Sequence, residues 1–62
     1  MDSKQIIRRL EVDGWFTVAQ VGDHVQFRHA VKPGRVTATH PRKDFPIGTL
    51  KSIEKQSGLK LR

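Results

Sequence analysis

Ile6, Ile7 and Leu10 fall on one narrow stripe of a 3.6-residue period, while Lys4, Arg8, Arg9 and Glu11 face away from it. Asp2 or Ser3 can cap such a helix, and Gln5, three residues after Asp2, makes a loose capping box. Gly14 stops the run, because a left-handed conformation costs glycine little. The pattern predicts a short packing helix over residues 4–13. The next stretch, Trp15 to Val21, is rich in aromatic and β-branched residues between two glycines and predicts a strand. Gly22-Asp23 is a two-residue hairpin turn. From His24 to His29 the chain alternates, with Val25, Phe27 and His29 to one side and His24, Gln26 and Arg28 to the other. Phe27 is the core anchor of that strand, which puts His24, Gln26 and Arg28 on its outer side.

Pro33 and Gly34 end a second turn begun at Ala30. Residues 35–39 alternate again, Val36 and Ala38 inward and Arg35, Thr37 and Thr39 outward. Two prolines within residues 40–46 exclude regular structure there, leaving a basic loop pinned by Phe45. A second helix runs from Ile47 or Gly48 to Ser57 and closes at Gly58. Ile47, Leu50 and Ile53 form its inner stripe, Lys51 and Lys55 lie outside, and Glu54 falls near the stripe's edge, where an apolar side chain would pack better. Leu59 is expected to fold back over the helix end, and residues 60–62 to fray. The predicted class is α+β: a three-stranded antiparallel sheet with two helices packed on one face, leaving the other face polar and cationic.

Sixty-two residues make one domain, near the size at which a core is only just adequate, and no cysteine is present to staple it. The absence of cysteine allows a cytoplasmic home. Met1 to Gln5 has no apolar run after a basic segment, so no signal peptide is expected, and no window suits a membrane. Twelve Lys and Arg against six Asp and Glu give a formal net charge of +6. Residues 1–13 balance; the last 28 residues hold most of the excess, as Arg35, Arg42, Lys43, Lys51, Lys55, Lys60 and Arg62 against Asp44 and Glu54. A one-sided excess on so small a chain points to a polyanion, nucleic acid first, although charge also keeps a small protein soluble.

Candidates for chemistry are few. No nucleophile elbow, phosphate-cradling glycine loop or suitably spaced carboxylate pair occurs. His24, His29 and His40 lack metal-ligand spacing, so neither metal nor cofactor is expected. Imidazole remains as an acid or base. RNA carries its own nucleophile in the ribose 2′-OH, and histidine suits the proton transfers while cations and hydroxyls steady the phosphate. His24, with Arg28, Arg35, Thr37 and Thr39 beside it, fits that description; it fits equally a surface histidine after a turn. His29 has inward parity and a structural role. His40 either reaches phosphate and supports His24 or caps a strand. Arg42-Lys43 is a phosphate clamp or a solvated pair. Trp15 either stacks on a base or fills the core.

Gly22-Asp23-His24, Phe27-Arg28-His29, Lys32 through Thr37, and His40-Pro41-Arg42-Lys43-Asp44 together resemble the HicA toxins, small mRNA interferases of toxin–antitoxin pairs. Pro46, Gly48 through Ile53, Lys55, Gln56, Gly58 and Leu59 resemble that family's second helix, and Asp13-Gly14-Trp15 its opening, so the likeness spans nearly all of residues 1–62 as one toxin domain. The resemblance implies an α-β-β-β-α fold similar to a double-stranded-RNA-binding domain. It implies a metal-independent endoribonuclease whose catalytic histidine is His24, with His40 in support. Its implied partners are mRNA and a HicB-type antitoxin protein, with DNA reached only through the antitoxin and no membrane. Three positions depart from the family's usual pattern: Asp23 stands for serine, Val25 for a second histidine, and Glu54 for an apolar residue, which makes Glu54 a candidate for the antitoxin interface. On this reading Arg28, Arg35, Arg42 and Lys43 hold phosphates, with Thr37 and Thr39 as hydrogen-bond donors. The rival readings are a non-catalytic RNA-binding module and an inactive toxin that only binds its antitoxin.

Overall fold

The computed structural model describes residues 1–62. Asp2 opens α1 (Ser3–Asp13) with a complete capping box: its carboxylate accepts from the Gln5 N–H at 2.9 Å, and Gln5 Oε1 accepts from the Asp2 N–H at 3.0 Å. Ser3, Ile6 and Leu10, spaced as one helical stripe, are buried, with Ile7 packed at the margin. At the far end Gly14 takes φ 105°, and its N–H returns to the Glu11 carbonyl at 3.0 Å. A Cβ there would also stand 2.7 Å from Nε2 of His29, so both backbone and packing demand glycine.

Three strands follow, β1 (Trp15–Val21), β2 (His24–His29) and β3 (Val36–Thr39), antiparallel in the order β1-β2-β3. β3 begins one residue later than the alternation predicts, because pairing stops at Phe27 opposite Val36 and leaves Arg35 in the turn behind Gly34. A bulge at Val18 shifts the β1 register, so Phe16 faces Arg28, Ala19 faces Gln26 and Val21 faces His24. Val25, Phe27, Val36 and Ala38 all point inward and join Ile6, Leu10, Trp15, Phe45, Leu50, Ile53 and Leu61 in one core. Both helices lie on that side, as the apolar pattern requires, giving the α-β-β-β-α arrangement of a double-stranded-RNA-binding domain.

α2 (Ile47–Ser57) buries Leu50, Ile53 and Ser57. Ile47 was expected on that stripe, yet it is 61% exposed: it sits at the helix's first position, and Phe45 supplies the apolar anchor at that end. Ser57 occupies an inner position by closing its own polarity, donating to the Ile53 carbonyl at 2.7 Å and accepting from the Leu59 N–H at 3.1 Å. The tail corrects a second expectation. Residues 60–62 do not fray, because Leu61 is buried and its N–H donates to Glu54 Oε2 at 2.8 Å, while Arg62 donates to the other carboxylate oxygen at 3.2 Å. Those donors, the Leu61 N–H first, hold the Glu54 carboxyl below its usual range. Glu54 is therefore the clasp of the C-terminal tail, which explains an acid at the edge of an apolar stripe.

A polar joint ties the helix ends together. Lys32 donates to the Asp13 carboxylate and to the Ser57 carbonyl, and the Trp15 indole donates to Asp13 at 3.1 Å. The Lys32 hydrogen bond is the chief cause that lowers the Asp13 pKa. His29 has the structural role its parity predicts: Nδ1 accepts from the N–H groups of Val31 and Lys32, so Nε2 carries the proton it gives to the Asp13 carbonyl at 2.6 Å. No helix is long and apolar enough to cross a membrane.

Candidate functional site

With both helices on one side, the sheet's other face lies open. Alternation puts His24, Gln26 and Arg28 of β2 there, beside Thr37 and Thr39 of β3. Register then fixes the neighbours: His24 stands opposite Thr39 and Gln26 opposite Thr37. Arg35 reaches back to donate to Gln26 Oε1 at 2.6 Å, which brings its guanidinium over this face from the preceding turn. Five of the candidate residues, His24, Arg28, Arg35, Thr37 and Thr39, are thus gathered as the sequence predicts. The His24 side chain is 62% exposed, and its Nε2 lies 3.5 Å from the Asp23 carboxylate, the one acidic group at that end of the face.

His40, Arg42 and Lys43 are placed differently. The His40 N–H donates to the Asp23 carbonyl at 2.7 Å, extending the β2–β3 ladder by one step, and so its side chain turns toward the helices. There Nδ1 meets the hydroxyl of buried Ser3 at 2.7 Å. The same hydroxyl accepts from the Arg42 N–H at 2.9 Å, so it bridges His40 and Arg42 whichever nitrogen of the imidazole carries the proton. The Ser3 N–H also donates to the Arg42 carbonyl at 2.8 Å. One turn of α1 therefore grips the loop at both His40 and Arg42. Arg42 lies over the Phe45 ring, 5.2 Å from its centroid, and donates to the Asp44 carbonyl, while Lys43 projects into solvent. The loop is basic and anchored, at the edge of the open face and not on it.

Trp15 is only 2% exposed, packed edge-on against His29. Of its two sequence readings, core filling is correct. No group of three or more histidines, cysteines, aspartates or glutamates gathers anywhere in the chain. Two residues escaped the sequence reading. Ser3 offers itself in the sequence as a helix cap, yet its place three residues before Ile6 puts it on the buried stripe. Phe16 is 50% exposed on the open face, and simple alternation from inward Trp15 would have found it. With Val21 it makes the β1 side of that face apolar, where a uniformly polar surface was expected.

An open, cation-bearing sheet face with an exposed histidine, on a fold like that of double-stranded-RNA-binding domains, makes this a small α+β module with one basic face. The chain belongs to the HicA toxin family: the family described as the HicA toxin of bacterial toxin–antitoxin systems matches residues 3–59. Membership makes it a toxin of such a system and suggests a cognate antitoxin as its partner. A comparison with curated proteins gives no match.

Proposed function

We propose that this toxin is a ribosome-independent mRNA endoribonuclease, neutralised by a HicB-type antitoxin and acting in the cytoplasm without a metal. The observation that carries the reading is His24. It is exposed on a face of cations and hydroxyls, and it supports no part of the core. In the reaction the ribose 2′-OH attacks the adjacent phosphorus as its proton passes to a base. The phosphorus–5′-oxygen bond breaks, and the departing oxygen takes up a proton, leaving a 2′,3′-cyclic phosphate and a 5′-hydroxyl. His24 performs one of these proton transfers as general base or acid. The complementary transfer falls to water, because the His40 side chain turns toward the helices, away from the face that carries His24. Arg28 and Arg35 hold phosphate on the sheet and Arg42 and Lys43 hold it at the loop, while Thr37 and Thr39 offer hydroxyl hydrogen bonds.

His40 supports the reaction indirectly. Its bond to Ser3 fixes the loop from which Arg42 and Lys43 extend. With one imidazole carrying the main role, catalysis is slow by nuclease standards. The test is induction of the wild type and His24→Ala at equal soluble level, following growth and new mRNA 5′ ends, with cleavage by purified protein repeated in chelator. Growth arrest with new ends in the wild type only, unaffected by chelator in vitro, supports the reading. Equal arrest by both proteins would hand the function to a non-catalytic RNA binder.

A further inference from the structure

We infer that Phe16 is a base-stacking platform for single-stranded RNA, set on the open face a few nucleotides from His24; this rests on the nuclease reading above. Two independent features point to it. The ring is half exposed on a strand whose neighbouring aromatic, Trp15, is fully committed to the core. Register then places Phe16 directly across from Arg28 on the same face. Arg28 is exposed and makes no ion pair within the chain, so its charge is free for a phosphate. A flat ring beside an unpaired guanidinium is the combination that single-strand binders use, the ring meeting a base and the cation the backbone. Arg28 lies four residue steps along β2 from His24, about 13 Å at the rise of an antiparallel strand. One extended RNA segment can therefore lie across the sheet with its scissile phosphate at His24 and a base on Phe16. Ala19, opposite Gln26, and Val21, opposite His24, carry the apolar strip along β1 from Phe16 to the His24 end of the face. Stacking tolerates every base, so Phe16 would add affinity and set the strand's path with little sequence preference. It would also favour unpaired RNA, because a base inside a duplex cannot present its face to the ring.

Charge favours RNA as the occupant for which Phe16 is exposed. Arg28 and Arg35 flank the strip with no acidic side chain opposite them, and the whole chain carries +6. The test uses the His24→Ala protein, so that the probe survives, and a short single-stranded RNA bearing one 2-aminopurine. Affinity is read by anisotropy and stacking by fluorescence quenching. Phe16→Ala should weaken binding about 5- to 150-fold and abolish the quenching. Phe16→Trp should keep both, and Phe16→Leu, apolar but without a ring, should behave like alanine. Circular dichroism checks that each variant is folded. If Phe16→Leu binds and quenches like phenylalanine, or Phe16→Ala binds RNA normally and loses only its neutralisation by antitoxin, the stacking role is wrong while the nuclease reading stands. If the His24-intact protein neither binds nor cuts RNA, the nuclease reading fails first, and the role of Phe16 falls with it.

Discussion

Replacing Ser3 with alanine removes one hydroxyl and leaves two groups without their partner, the Arg42 N–H and His40 Nδ1. The Ser3 N–H bond to the Arg42 carbonyl survives, since it belongs to the backbone. Each lost hydrogen bond is worth about 0.5–1.5 kcal/mol net, so the pair comes to about 1–3 kcal/mol. One effect opposes this: alanine is the better helix former by about 0.5 kcal/mol. The expected loss is about 0.5–2.5 kcal/mol. Against a total of about 3–9 kcal/mol for a chain of this length, that is a large share. In urea, with a slope near 1 kcal/mol/M, the midpoint should fall by roughly 0.5–2.5 M. A double-mutant cycle with His40→Ala isolates the pair and should show a coupling of about 0.5–1.5 kcal/mol. If Arg42 and Lys43 hold phosphate as proposed, the functional counterpart is weaker RNA binding through the loosened loop. Ser3→Ala as stable as the wild type, or strict additivity in the cycle, would refute the idea that α1 grips the loop through this hydroxyl.

Glu54→Gln should loosen the C-terminal tail at neutral pH and flatten the acid limb of stability. The folded Glu54 carboxyl lies below its ordinary value of 4.5, so its contribution is complete above that pH and is lost as pH falls through the folded value. Asp13, lowered from 3.8 chiefly by Lys32, adds to the same acid limb. Urea midpoints of wild type and Glu54→Gln measured from pH 7 to pH 3 should therefore differ most at pH 7 and converge at the acid end; parallel curves would contradict the clasp. Gly14→Ala should cost more than Gly34→Ala. Both glycines have positive φ, at about 1–2 kcal/mol for a non-glycine residue, but only at Gly14 would the new methyl also push His29 off the Asp13 carbonyl. Equal losses in thermal unfolding would mean that the His29 contact is not a constraint.

The elements were legible because each local signal agreed with the next. The Asp2–Gln5 box, Gly14, Gly58 and the alternation of Val25, Phe27, Val36 and Ala38 all survive intact in the fold. What the sequence hid were contacts between residues far apart in the chain. Nothing local says that Glu54 meets Leu61, or that Ser3 meets both His40 and Arg42, since both depend on how the elements pack. Ile47 was misplaced because periodicity gives a face but not where along the helix the sheet ends. The aromatic and β-branched composition of β1 predicts a strand but does not by itself say which side Phe16 faces. The open-face group centred on His24 was recoverable because a strand's period of two assigns sides without knowledge of the packing.

That separation of faces also governs how function can be tested. Every member of the buried apolar cluster serves the helix side of the sheet or its rim, and nothing in the chain packs over His24 or Arg28. Substitutions at exposed sites of this kind usually change stability by no more than about 0.5 kcal/mol. A loss of activity in His24→Ala can therefore be assigned to the open face and not to folding, whereas a loss in Ser3→Ala must first be corrected for folding. The same logic bears on Phe16 and Val21. A small protein gains no core from apolar side chains held in water, and they add an association hazard that net charge must counter. Their exposure beside unpaired cations is understandable if the open face is kept free for a ligand, and hard to explain as packing.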